Sequence, residues 1–213
     1  TQAPSITASF SLAENTATDT ALKSIALAAS ETVTWSGLTG ADASAFTLGT
    51  GADAGKLLFK NATNFEAKSS YTVTVTGTDA AGNATAQAIT VNLTDANDAP
   101  TVATSVANQV FAVGIANSYQ IPSTAFIDVD AGDALIYTAT KSDGTALPSW
   151  LTFDPATRTF NGTPVADGAV VTVRVTATDK VGASVYSDFD LATSSAPLVR
   201  TLVVSDNNAT NGA

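Results

Sequence analysis

The chain has 213 residues, a formal net charge of -10, 13% charged residues and 45% hydrophobic ones, a composition that can bury a core and excludes a disordered polymer. Nine Lys and Arg cannot neutralise a phosphate track, so nucleic acid is excluded as a partner; with no His and no Cys there is no imidazole base, Ser-His pair, thiolate nucleophile, disulfide or common zinc site. What remains is oxygen chemistry, sixteen Asp against three Glu, suited to hard cations such as Ca²⁺ or Mg²⁺.

No apolar run approaches the ~20 residues of a membrane span, so no membrane insertion is expected. Thr1-Gln2-Ala3-Pro4 has no signal-peptide character, and the chain reads as a segment of something larger. In chain order, Ile6 to Leu12 alternates apolar and polar residues, the mark of a half-buried strand. The pattern recurs at 32–35, 46–48, 56–59, 71–76 and 88–93, separated by Gly, Asp and Ala turns, and Ala21 to Ala29 reads as a further strand on its two-residue alternation. These elements predict a small all-β sandwich over residues 1–98.

Thr94-Asp95-Ala96-Asn97-Asp98-Ala99-Pro100 follows, crowding oxygen ligands into extended chain that Pro100 keeps out of a sheet ladder. By itself this stretch reads as an acidic hinge or as a metal site. The second half, 99–195, carries strand signals at 118–122, 134–139 and 169–178, and residues 196–213 read as an added strand at 198–204, or the start of a next unit, and a frayed linker.

Ala13-Glu14-Asn15, Phe46-Thr47-Leu48, Gly55-Lys56-Leu57, Asn64-Phe65-Glu66, the Tyr71 to Asp79 run and Asp95-Ala96-Asn97-Asp98 follow the order and spacing of a cadherin repeat, and the first half resembles a bacterial cadherin-like domain. The resemblance implies Ca²⁺ ligands at Glu14, Glu66, Asp95, Asn97 (through its backbone carbonyl) and Asp98; Asn64 stands where the family has Asp and would supply a neutral ligand or none. The run from Leu147 to Pro164 resembles the dystroglycan-type cadherin-like domain, an immunoglobulin-like sandwich. There Trp150, Leu151 and Phe153 would be core and Asn161-Gly162-Thr163-Pro164 a turn; a sugar-stacking role for Trp150 is the other reading.

Asp128-Val129-Asp130-Ala131-Gly132-Asp133 invites comparison with an EF-hand loop, but the twelfth position from Asp128 is Ala139 rather than the required Glu. Asp128, Asp130 and Asp179 instead match the acidic positions by which a downstream cadherin repeat completes a junction; Asp133 either joins them or caps a turn. Unscreened like charges ~5 Å apart repel by roughly 3 kcal/mol at an effective dielectric near 20, so seven carboxylates in one joint would splay without cations and stiffen with them. Asp79 would face an absent upstream repeat, and the second half lacks a Glu after its first strand, so a single calcium joint is expected.

The expected fold is therefore all-β, two tandem immunoglobulin-like or cadherin-like sandwiches joined by a short calcium-binding linker. Asn-x-Thr sequons such as those at Asn61, Asn83, Asn92 and Asn161 are weak signals in a Thr-rich chain. Paired carboxylates could run glycoside hydrolysis, but clustered acids are better explained as ligands, and no enzyme is expected. Two functional readings follow from the resemblances. One is an adhesion or extender segment of a large secreted bacterial surface protein, similar to repeat-in-toxin adhesins, monomeric, with neighbouring domains of its own polypeptide as partners and a cell-surface glycan or protein as a candidate ligand. The other is a carbohydrate-binding module of an exported polysaccharide-degrading enzyme.

Overall fold

A computed structural model describes residues 3–15 and 23–195. The strand expected at 198–204 and the start of the one at 21–29 lie outside the described residues. The first sandwich is built from β1 (Ser9–Ala13), β2 (Ser24–Ala26), β3 (Thr34–Thr39), β4 (Phe46–Leu48), β5 (Lys56–Phe59), β6 (Ser70–Thr78) and β7 (Ala84–Thr94). One sheet runs β1-β7-β6-β3 and the other β2-β5-β4. Strand β6 shows why: Val73 and Val75 are fully buried while Thr72, Thr74 and Thr76 face outward, the two-residue period of a half-buried strand. Phe46, Leu57, Phe59, Ile89 and Val91 fill the space between the sheets, with the Phe46 and Phe59 rings 4.4 Å apart.

Two of the first strands differ from expectation. Ile6 to Leu12 is not continuous: Ile6 makes only an isolated bridge to Ala29, and the strand proper begins at Ser9. The strand expected at 32–35 runs instead from Thr34 to Thr39, with a bulge at Gly37, whose φ of 61° suits a residue without a Cβ.

The second sandwich contains β8 (Thr101–Val102), β9 (Gln109–Val113), β10 (Asn117–Gln120), β11 (Phe126–Ile127), β12 (Ile136–Lys141), β13 (Leu151–Asp154), β14 (Thr159–Gly162), β15 (Val170–Thr178) and β16 (Ser184–Ser195). Its four-stranded sheet runs β12-β15-β16-β9, a three-stranded one runs β10-β14-β13, and β8 pairs with β11. Phe160 is fully buried and packs against Phe153 at 4.6 Å and edge-on to Phe189 at 5.6 Å; Leu151, Val173, Val175 and Leu191 are buried as well.

Here the 147–164 run needs correcting. Leu151 is core, but Trp150 and Phe153 are half-buried, and the inward position is taken by Phe160. Asn161 and Gly162 are strand, not turn: they pair with Thr152 and Leu151, and the reversal lies at 155–158, where Arg158 adopts φ 56°. Gly162 is small for a reason, since a Cβ there would sit 2.8 Å from the Trp150 carbonyl oxygen.

Grouped by proximity, the described residues up to Thr101 form one unit together with Asp128–Leu135 and Asp179–Ser184. The remainder, Val102–Ile127, Ile136–Thr178 and the described residues from Val185 onward, form the other. The linker and both acidic loops of the second half of the sequence therefore belong to the unit that holds the first sandwich.

Candidate metal centre

Strand pairing places the first ligands. β1 runs parallel to β7, with Ala13 opposite Thr94, so Glu14 leaves its strand beside the start of the linker and its N–H donates to the Thr94 carbonyl at 3.2 Å. Glu14 is 1% exposed. Its Oε1 accepts the Ala96 N–H at 3.0 Å and its Oε2 accepts the Phe65 N–H. One buried carboxylate thus ties the end of β1 to the 63–66 segment and to the linker, each oxygen retaining lone-pair capacity beyond its backbone bond.

Oxygens of Glu14, Glu66 and Asp95 come within 4.8 Å of one another, and a second set, Asp128, Asp133 and Asp179, does the same. Two oxygens on opposite sides of one calcium ion stand about 5 Å apart, twice its bond length. Asp98 lies between the sets: its N–H donates to Asp130 Oδ2 at 2.8 Å, and its carboxylate feels Glu14, Asp130, Asp128 and Asp95. Asp130 in turn donates its N–H to Asp128 Oδ1 at 3.0 Å. Asp95, Asn97, Asp130, Asp133 and Lys180 line a cleft of about 260 Å³.

A hard cation fits the residues present. Asp128 Oδ2, Asp130 Oδ1 and Asp133 Oδ2 are buried without a hydrogen-bond partner, and an unpaired buried carboxylate oxygen is costly unless a cation meets it. All donors are oxygen, and they are numerous enough for the six to eight that Ca²⁺ takes. The two acidic clusters are consistent with cadherin-like calcium sites.

Three carboxyls are displaced upward from their ordinary values. Loss of hydration is the first cause in each; the next is the charge of Asp130 for Asp95 and of Glu14 for Asp98, whereas Glu66, partly relieved by its own backbone, feels Glu14, Asp95 and Asp130. Asp179 moves the other way. Its Oδ2 accepts the Asn97 amide at 2.9 Å and its Oδ1 accepts the N–H groups of Val181, Gly182 and Ala183, so it stays charged.

A pH dependence follows with a definite sign. Carboxyls that hold their protons more tightly than the same side chains in water must release them when a cation binds, so calcium affinity falls as pH falls, and it begins to fall at a higher pH than it would with unshifted carboxylates. Calorimetry in two buffers of different ionisation heat is expected to show few protons displaced near about pH 7.5 and more near about pH 5. Equal proton release at both would place Glu66, Asp95 and Asp98 outside the ion's shell.

The expectation for Asn97 is a ligand through its backbone carbonyl; its side-chain amide donates to Asp179 and to the Asp98 carbonyl, each at 2.9 Å. Asn64 caps the turn after it, its Oδ1 accepting the Ala67 N–H. Asp79 joins neither set: its carboxylate is used by the Ala81 and Asn83 N–H groups and the Asn83 amide. Two residues carried too little sequence signal. Asp133, for which the sequence allows either ligand or cap, has a fully buried side chain in the second set, and Lys180 brings a positive charge to its Oδ1 at 2.5 Å.

Comparison with known proteins bears on the fold. The sequence family described as "Putative Ig domain" (He_PIG) matches residues 99–194. No curated protein matches the sequence. Among solved structures, human protocadherin-24 EC1-2 is similar over 92% of this chain and 100% of its own, at 16% identity and a TM-score of 0.62. Mouse cadherin-23 EC22-24 is similar over 91% of this chain at 14% identity and a TM-score of 0.54, and Drosophila N-cadherin EC1-4 over 90% at 19% identity and 0.55. The chain is two cadherin-like β-sandwiches in tandem. It spans 65% of the mouse structure and 49% of the Drosophila one.

Proposed function

We propose that this chain is a calcium-rigidified extender and adhesion segment of a large secreted bacterial surface protein. The observation that carries the reading is the pair of oxygen clusters, one holding Glu14, Glu66 and Asp95 and the other Asp128, Asp133 and Asp179, in the unit that also contains the linker. One calcium set there would bind the end of β1, the linker and the loops at 128–135 and 179–184 into a single body. The cadherin-like fold supports an extracellular adhesion-type role, and the resemblance of both halves to bacterial cadherin-like and dystroglycan-type domains supports the surface-protein context.

The chain's own residues supply position and charge. Glu14 is fixed by two backbone donors, Asp179 by three turn amides and Asn97, and Asp98 by its N–H bond to Asp130 and the Asn97 amide on its carbonyl. When bound, the ion neutralises carboxylates that otherwise repel one another. The acids act as ligands rather than as an acid–base pair, so the segment is not an enzyme in this reading. Neighbouring domains of the same polypeptide are its mechanical partners.

Calorimetry is expected to show binding of millimolar or tighter Ca²⁺ with clear preference over Mg²⁺, which keeps its waters and demands a strict octahedron. Small-angle scattering is expected to give a narrower spread of dimensions with Ca²⁺ than with chelator. No heat with Ca²⁺ would overturn the metal reading; superimposable scattering profiles would overturn the extender reading alone.

A further inference from the structure

Beside Glu14 lies a pair that the metal reading does not use. Asn15 is 8% exposed and Thr63 2%, and they bind each other reciprocally. The Asn15 N–H donates to the Thr63 carbonyl at 3.2 Å and to its Oγ1 at 3.1 Å; Asn15 Oδ1 accepts the Thr63 N–H at 3.0 Å and the Thr63 hydroxyl at 3.1 Å. These residues are 48 apart in sequence. Each adjoins a stretch of the first acidic cluster: Asn15 follows Glu14 directly, and Thr63 opens the Asn64-Phe65-Glu66 turn whose Phe65 N–H donates to Glu14.

We propose that Asn15 and Thr63 form a positioning latch for the calcium site, fixing the separation between the Glu14 and Glu66 carboxylates while contributing no ligand themselves. This rests on the calcium reading above. The physical reason is coupling through short, satisfied geometry. β1 ends at Ala13, its ladder with β7 ends at Ala13–Thr94, and the last backbone bond between them is the Glu14 N–H to the Thr94 carbonyl, so Asn15 stands one residue past it. The 63–66 segment lies outside the named strands, between β5 and β6. Two stretches without a common ladder would wander relative to each other, and a cation site needs its oxygens placed to within a few tenths of an ångström. The latch supplies that placement through backbone as well as side-chain bonds. Losing the Asn15 amide would leave the buried Thr63 N–H and hydroxyl without that acceptor, which favours opening of the turn.

The pair resembles an outer shell around a metal, whose removal weakens binding by about 10- to 100-fold while the ligands remain present. The test uses the whole chain. Ca²⁺ affinity is measured by calorimetry for wild type, Asn15→Ala, Thr63→Val and the conservative Thr63→Ser, together with the melting temperature in chelator and the far-UV spectrum of each. The expected result is a loss of affinity of about 10-fold or more for Asn15→Ala, a smaller loss for Thr63→Val, which keeps its N–H, and near-wild-type affinity for Thr63→Ser. If Asn15→Ala melts earlier in chelator yet binds Ca²⁺ within about twofold of wild type, a change too small for an outer-shell role, the pair is structural only and the proposal is overturned. If Asn15→Ala fails to fold, Thr63→Val against Thr63→Ser decides, equal affinities overturning it. A wild-type chain that gives no heat with Ca²⁺ would instead remove the calcium reading on which the latch rests.

Discussion

Chelation is expected to lower the melting transition of the unit that holds the acidic clusters by about 10 °C while leaving the other unit's transition nearly unmoved. An ion that binds only the folded state stabilises it by roughly 2.7 kcal/mol at a hundred times its dissociation constant, and each kcal/mol moves the midpoint of a domain of this size by about 4 °C or more. The asymmetry follows from placement. The two clusters belong with the first sandwich, Asp128–Leu135 and Asp179–Ser184, whereas the second core of Phe160, Val173, Val175 and Leu191 has no carboxylate of either cluster within it. In chelator, protease is expected to cut near Ala96–Asn97, because single bonds such as those from Ala96 to Glu14, Asn97 to Asp179 and Asp98 to Asp130 then tie the linker. Differential scanning calorimetry and a timed digest read both effects. A transition that does not respond to chelator would show that no ion contributes to stability.

Glu14→Ala is the substitution with the largest expected cost. It removes a ligand and two acceptors together, leaving the Phe65 and Ala96 N–H groups without the carboxylate they share. A hydrogen bond to a charged group contributes roughly 1.5–3 kcal/mol, so the loss of two is expected to destabilise the unit by about 3–5 kcal/mol once relief of the repulsion from Glu66 and Asp95 is set against it. Calcium affinity is expected to fall by two orders of magnitude or more, since the first cluster then retains only two of its three carboxylates. Glu66→Ala is the control: Glu66 is exposed and, among the described residues, carries no comparable backbone bonds to other segments, so it is expected to weaken calcium binding without lowering stability in chelator. Chemical denaturation in chelator separates the two. If both variants lose the same stability there, Glu14 is not the structural centre of the cluster.

How much of this was readable in advance depends on whether the signal was local. The alternation in β6 and β15 is local, and so are the Asp-x-x-Gly turns that close both long hairpins, where Gly82 and Gly182 take φ values of 87° and 100°. Period-two patterning follows from the pleat itself, which is why the sandwich class could be inferred before any coordinates. Strand limits were less legible. Asn161-Gly162 has turn composition, yet pairing with β13 and the crowding at Trp150 make it strand.

Composition and local pattern carry the chemistry: oxygen donors, no imidazole or thiolate, two sandwiches, and an acidic stretch at 95–98. Which acids meet is set by long-range packing. Asp79 and Asp179 open turns of the same pattern and accept turn amides alike, but the remaining oxygen of Asp79 takes the amide of Asn83, four residues on, while that of Asp179 takes Asn97, 82 residues away. Local pattern cannot distinguish them, because the difference is made by chain brought close from elsewhere. The same holds for Asp133, buried against Lys180, and for Asn15 and Thr63. Parallel pairing of β1 with β7 and the packing of the 128–135 and 179–184 loops set those distances, and pairings of long sequence separation leave no period in the residues that make them.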